Sequence, residues 1–125
     1  MDPLTAPLDY RQLRLVPPPA PAVTTLQVEV RNSVDATTVV LRGDLDMESH
    51  VVLTGAIDLL RPFRAEVVID LTELEFLDSS GLRALYHVHE AVLDDTGQKM
   101  TLVGCRSGAR QLFEVSGLDA AFRIA

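Results

Sequence analysis

The amino-acid sequence predicts an α/β fold: a mixed, mainly parallel sheet of about four strands, opening with a hairpin and packed against three to four helices. Three observations predict it. Two alternating or β-branched segments near the start are joined by the short polar stretch Asn32–Ala36, which favours an antiparallel hairpin. Helical and extended patterns then alternate to the C-terminus, the grammar of parallel crossovers. Finally, Val67, Val68 and Ile69 run without alternation, as expected of a central strand buried on both faces.

Residues 1–25 read as a proline-rich N-terminal tail, and residues 26–125 as one domain. Six of the seven prolines fall in the tail, including Pro17-Pro18-Pro19, and proline favours extended polyproline conformations. The tail reads as a flexible or semi-rigid leader, with Tyr10, Leu13, Leu15 and Val16 as side chains able to dock on the domain or on a partner. Leu26, Val28 and Val30 alternate with polar residues in the first strand, and Thr37–Arg42 forms the second. Gly43 punctuates that strand, and Asp44–Ser49 leads into a helix for which Asp44, Asp46 and Ser49 all qualify as N-terminal cap. Val52, Leu53, Ala56, Ile57, Leu59 and Leu60 give this helix its apolar face, Gly55 weakens its middle, and Pro62 ends it.

The central strand is expected over Ala65–Leu71, followed by an acidic turn and then Asp78-Ser79-Ser80-Gly81, where short oxygens can cap a helix start. Leu82, Leu85, His89 and Val92 recur at helical spacing up to the stop at Asp94–Gly97. Met100–Val103 reads as a strand and Ser107–Ser116 as a third helix with Gly117 just past its end. Leu118–Ala125 continues as a short apolar tail with Phe122 and Ile124 on the core.

A length of 125 residues suits one domain with a real core, and 47% apolar residues fit a globular class. The net charge of -7 disfavours a nucleic-acid backbone as partner and suits a basic patch on a protein. Cys105 stands alone, so no internal disulfide forms. No apolar run approaches membrane-spanning length, and the N-terminus lacks the pattern of a secretory signal.

The run VVIDLTELEFLDSSGLRAL, from Val67 to Leu85, resembles the signature of the STAS domain family, and more narrowly that of the bacterial anti-sigma factor antagonists. Gly43-Asp44-Leu45-Asp46 resembles that family's earlier acidic turn. The resemblance runs from about Leu26 to the C-terminus. It implies a STAS fold and a cytoplasmic, non-enzymatic regulator of transcription. Such a protein binds an anti-sigma factor with serine kinase activity and frees a sigma factor. It is switched off by phosphorylation and reset by a serine phosphatase. It touches neither nucleic acid nor membrane, and it holds no cofactor, since ATP and magnesium belong to the kinase. Carried onto this sequence, the phosphoacceptor is Ser79, with Asp46, Asp78, Ser80, Gly81 and Arg83 as partner-binding or supporting positions. Met47, Glu48, Ser49 and His50 depart from the family's small residues after the acidic turn and predict altered partner contacts there.

A phosphate on Ser79 adds a charge of about -1.5 to -2, which first-turn N–H groups and the helix dipole stabilise while Asp78 repels it. The alternatives are weaker. Ser79 or Ser80 is otherwise a plain N-cap, and Gly81 either lets a partner's backbone approach or relieves the turn. A serine hydrolase fails because Leu77 precedes the Asp-Ser-Ser-Gly run, so the Gly-x-Ser-x-Gly elbow is absent; His87 and His89 point away from the helix start and read as surface or boundary residues. They also face opposite sides of a helix, which excludes a metal pair. A receiver phosphorylated on Asp70 lacks the lysine it needs, since Lys99, the only lysine, begins a strand. The serious rival is a STAS scaffold or small-ligand-sensing module without phosphoryl switching.

Overall fold

The computed structural model describes residues 26–125; the proline-rich leader and its docking side chains lie outside the described residues. The chain forms β1 (Gln27–Asn32), β2 (Ala36–Leu45), α1 (His50–Leu60), β3 (Glu66–Leu77), α2 (Ser79–Thr96), β4 (Thr101–Val103), α3 (Ser107–Ser116), a 3-10 turn (Leu118–Ala120) and β5 (Arg123–Ile124). The five strands lie side by side in sequence order. β1 pairs antiparallel with β2 through the expected hairpin, and every later pairing is parallel. The C-terminal segment adds a strand beyond the four expected, with Phe122 and Ile124 placed toward the core as anticipated.

Side-chain burial shows where the helices lie. One hydrophobic cluster joins Val39, Leu41 and Leu45 of β2 and Val67, Ile69, Leu71 and Leu74 of β3 to side chains from all three helices. The alternate positions Thr38 and Val68 stay outside it. The three α-helices therefore cover the same face of the sheet, as right-handed crossovers in a monotonic strand order require. The run Val67-Val68-Ile69 is thus not buried on both faces: Val67 and Ile69 are fully buried and Val68 is half-buried.

The largest departure from the sequence reading is β3. No acidic turn follows Leu71; the strand continues to Leu77. Its pairing with β2 shifts register twice, between Val40 and Arg42 and between Gly43 and Asp44. At each shift β3 spends one extra residue, so its core-facing leucines fall at Leu71, Leu74 and Leu77 while β2 keeps a period of two. Gly43, at φ 98°, supplies a backbone conformation that a side chain would resist at the second shift. Asp70 accordingly sits mid-strand rather than at a strand end, with its Oδ1 accepting from Thr72 N at 2.9 Å. β4 pairs only with Val68–Asp70, so β3 runs on from Leu71 to Leu77 with β2 as its one partner strand among the described residues.

Two helices also differ from expectation. In α1 only Leu53 and Ile57 are fully buried, while Val52 and Leu59, assigned to its apolar face, are exposed. In α2, His89 is not a boundary residue but lies in the core at 6% exposure, its ring 5.3 Å from that of Phe122. The helix ends at Gly97, whose φ of 73° closes it in the left-handed conformation. α3 ends likewise at Gly117, as the sequence indicates.

Gly55 is exposed in the middle of α1, and nothing lies within 4 Å of where a Cβ would stand. Gly55→Ala will therefore stabilise the domain by about 1 kcal/mol, read as a rise of roughly 4 °C in melting temperature. Burial holds the His89 imidazole below its ordinary value of 6.5, with Lys99 acting in the same direction and Glu90 against it. A neutral folded histidine means that the unfolded chain takes up the extra proton first, so stability present above pH 6.5 declines as pH falls through the imidazole range. Denaturant melts from pH 7.5 to 5 will show this decline, and His89→Leu will flatten it by up to one proton per molecule.

Candidate functional site

The site is built where β2 and β3 end. Leu45 pairs with Leu77 in the last register position, so the turns that follow them start side by side. Asp78 N donates to the Leu45 carbonyl at 3.3 Å and ties the second turn to the first. The turns at Asp46 and at Asp78–Gly81, far apart in sequence, therefore meet at one end of the sheet.

Asp78 is the N-cap of α2. Its backbone is extended, its Oδ1 accepts from Gly81 N at 2.9 Å, and its carbonyl accepts from Leu82 N at 2.9 Å. The cap role that the sequence left open between Asp78 and the two serines falls to the aspartate. Ser79 is then the first helical residue and is exposed. Among the described residues, no group bonds its hydroxyl. Ser80 follows, half-buried. The N–H groups of both serines belong to the first turn and have no acceptor within the helix. Arg83, exposed, stands four residues beyond Ser79 and so on the same side of α2.

Gly81 has an internal reason to be glycine. It is buried, and a Cβ there would collide with the Leu45 carbonyl oxygen and stand 2.7 Å from Leu77 Cδ1. Its missing side chain admits the end of β2 and fixes how closely α2 starts against the sheet. Gly81→Ala will push the helix start outward and destabilise the domain by about 2 kcal/mol, measured by chemical denaturation.

Asp46 works on the first turn. Its Oδ1 accepts from Glu48 N, Ser49 N and Ser49 Oγ, each at 3.0 Å. Ser49 Oγ in return accepts from Asp46 N at 2.9 Å, and its one proton is shared between Asp46 Oδ1 and the Asp44 carbonyl, the nearer acceptor at 2.7 Å. This is a reciprocal cap, one turn ahead of α1, of the kind that an N-cap and the residue three places on make together. Of the three cap candidates, Asp46 and Ser49 share the work, and Asp44 contributes its carbonyl. The Ser49 N–H bond first, then the Ser49 hydroxyl and the Glu48 N–H, hold the Asp46 carboxyl below its usual range, against an opposing effect of burial.

Around these turns the surface is acidic, with Asp44, Asp46, Glu48 and Asp78, and carries exposed apolar side chains: Met47 at 70%, Val51 at 58% and Phe76 at 52%. Val51 and Phe76 were not singled out in the sequence. Phe76 was hidden because its segment did not read as strand, yet it stands directly across from Asp44 in the β2–β3 register. A shallow groove of about 370 Å³ opens beside Phe76, lined also by Leu71, Leu74, Arg106 and Ala109. Among the described residues there is no group of three His, Cys, Asp or Glu able to hold a metal ion, and no helix long and apolar enough to cross a membrane.

The architecture is thus a five-stranded sheet with a single helical layer and a capped Asp-Ser-Ser-Gly helix start at the end of its central strand. Residues 28–124 match the family model described as "Mlab, STAS domain", and the chain belongs to the STAS domain family. Solved structures agree. An anti-sigma factor antagonist from Mycobacterium paratuberculosis superposes with a TM-score of 0.70 at 27% identity, over 79% of this chain and 84% of that one. The Bacillus cell fate determinant SpoIIAA in its phosphorylated form gives a TM-score of 0.60 at 20% identity, over 80% and 90% of the two chains. An anti-sigma-factor antagonist (STAS) domain protein from Planctomyces limnophilus gives 0.61 at 16% identity, over 82% and 90%. No match was found among curated proteins.

Proposed function

We propose that this chain is an anti-sigma factor antagonist whose binding to a serine-kinase anti-sigma factor is switched off by phosphorylation of Ser79. The observation that carries this reading is the division of labour at the start of α2. Asp78 caps the helix, which leaves the Ser79 hydroxyl exposed and without a hydrogen-bond partner among the described residues. A kinase reaches such a hydroxyl without unfolding anything. The phosphate it adds meets unclaimed first-turn N–H groups, so the helix tolerates it. The similarity to SpoIIAA, which has a solved phosphorylated form, supports a fold that carries such a modification.

The protein acts in the cytoplasm as a binding partner and not as a catalyst. Unphosphorylated, it docks through the Asp78–Gly81 turn, Arg83 and the acidic Asp44–Ser49 edge onto a basic surface of the anti-sigma factor, and the sigma factor is released. Met47 and Val51 add apolar contacts at the rim of that surface. Phosphorylation adds charge and bulk at the centre of the contact, next to Asp78, and the complex separates. A serine phosphatase resets the protein. A second reading rests on the groove beside Phe76, which offers a ligand-sensing STAS module a place to bind a small apolar molecule.

Incubation with the kinase-type anti-sigma factors of its own cell and Mg-ATP, followed by intact-mass analysis, tests the switch. The wild type will gain one phosphate and Ser79→Ala none. Ser79→Ala will keep its affinity, while Ser79→Asp will lose tenfold or more, about 1.4 kcal/mol, with its melting temperature nearly unchanged. Binding without any phosphate on the wild type would favour the ligand-sensing reading. A collapsed fold in Ser79→Asp would overturn the surface switch.

A further inference from the structure

Among the described residues, one buried side chain has a polar atom without a hydrogen-bond partner: His89, through its Nδ1. That nitrogen is shut off from solvent inside α2's core face. A neutral imidazole bears this far better than an imidazolium, whose Nδ1–H is a charged donor with nothing to accept it. Two rings flank it: Tyr86 of α2 at 6.0 Å, and Phe122 of the C-terminal segment at 5.3 Å, edge to face. Of the charged groups, Lys99 ahead of β4 opposes a second positive charge and Glu90 of α2 favours one. Glu114 of α3 and Asp119 and Arg123 of the C-terminal segment do not act on it.

Strain at a charged His89 is relieved by whichever neighbour is held least. Phe122 is wedged between His89 and Phe113, whose ring lies 5.6 Å away. The segment that carries it, Leu118–Ala125, has a strand of only two residues, β5. Arg123 N donates to the Met100 carbonyl and Ala125 N to the Leu102 carbonyl, each at 2.9 Å, and Lys99 Nζ reaches the Ala120 carbonyl at 3.0 Å. Leu118, Ala121 and Ile124 are only partly buried against the core. α2, by contrast, is an 18-residue helix that buries seven residues. A short edge element opens at much lower free energy than the whole domain. We propose that His89 is a proton-sensitive latch for Leu118–Ala125: when it takes up a proton, this segment swings off the edge of β4 while β1–β4 and α2 stay folded. In the open form the imidazole recovers its ordinary value of 6.5, so the latch holds above that pH and loosens progressively below it.

Amide hydrogen exchange on the full chain, read by NMR from pH 7.5 to 4 in zero to low urea, tests the latch. Protection factors, corrected for intrinsic exchange, are compared between Arg123 and Ala125 at the edge and Ile69 in β3. The edge amides are expected to be less protected than Ile69 throughout, to respond weakly to urea, and to lose up to about thirtyfold in protection between pH 7.5 and 5. His89→Leu will abolish that loss. Edge amides that match Ile69 and follow urea as steeply would mean that the segment opens only with the whole domain. Protection that stays constant with pH, or a loss that persists in His89→Leu, would remove His89 from the device. Should His89→Leu fail to fold, the wild-type series decides: a loss that sets in near pH 4 instead of 6.5 would assign it to carboxylates. Each of these four results overturns the proposal.

Discussion

The parallel ladder between β2 and β3 decides where everything else can sit. It is the longest pairing in the sheet, and it carries two turns to the same height at its far end. Had β3 stopped near Leu71, α2 would begin several residues earlier and lower, away from the turn after β2. Instead the ladder continues to Leu45 opposite Leu77, and the Leu45 carbonyl then meets both the Asp78 N–H and the bare α-carbon of Gly81. One backbone oxygen thus seats the helix start.

Both turns separate structural from displayed chemistry in the same way. An aspartate spends its carboxylate on the backbone three residues ahead: Asp78 on Gly81, Asp46 on Ser49. What remains at the surface are side chains with no hydrogen-bond partner among the described residues: Ser79 in one turn, Met47 and Glu48 in the other. Ser49 shows the contrast. It too is a serine beside an acidic turn, but it is buried, and its hydroxyl is fully committed to Asp44 and Asp46. Two serines beside acidic turns therefore have opposite availability, and the difference lies in their place: Ser49 stands three residues past its aspartate, where the cap closes, and Ser79 only one.

Much of this was legible in the sequence. The hairpin follows from β-branched alternation around a polar turn, and α2 from Leu82, Leu85, His89 and Val92. The closing glycines Gly97 and Gly117 follow from their place after apolar runs. The Asp-Ser-Ser-Gly turn was recognisable as a helix start, and its resemblance to the STAS signature agrees with the matched family. The far half of β3 was hidden because its leucines recur every third residue, a spacing that suits neither a flat strand nor a solvated turn. Two register shifts restore the alternation, and those depend on a partner strand more than twenty residues away. The exposed residues of α1 were misread for a related reason: Val52 and Leu59 satisfy an apolar count, but a helix on one face of a sheet buries a narrow stripe. The need for glycine at position 81 lies in the Leu45 carbonyl, which no local pattern reveals.

The stretch of β3 that outruns β4 has a cost of another kind. A bare strand edge is a template on which a second molecule can add its own strand, the first step toward aggregation. Here the chain answers with blockers. Gly104 is pressed so closely against Thr72 that a Cβ would come within 2.6 Å of Thr72 N, and the Arg106 guanidinium donates to the Thr72 carbonyl at 2.9 Å. Beyond that point Glu73 and Glu75 stand exposed along the strand. Their charge burdens any incoming strand with repulsion or burial of a carboxylate. The acidity of this protein therefore has a use within the fold: it guards a long, half-paired strand against edge pairing up to the Asp78 turn at its tip.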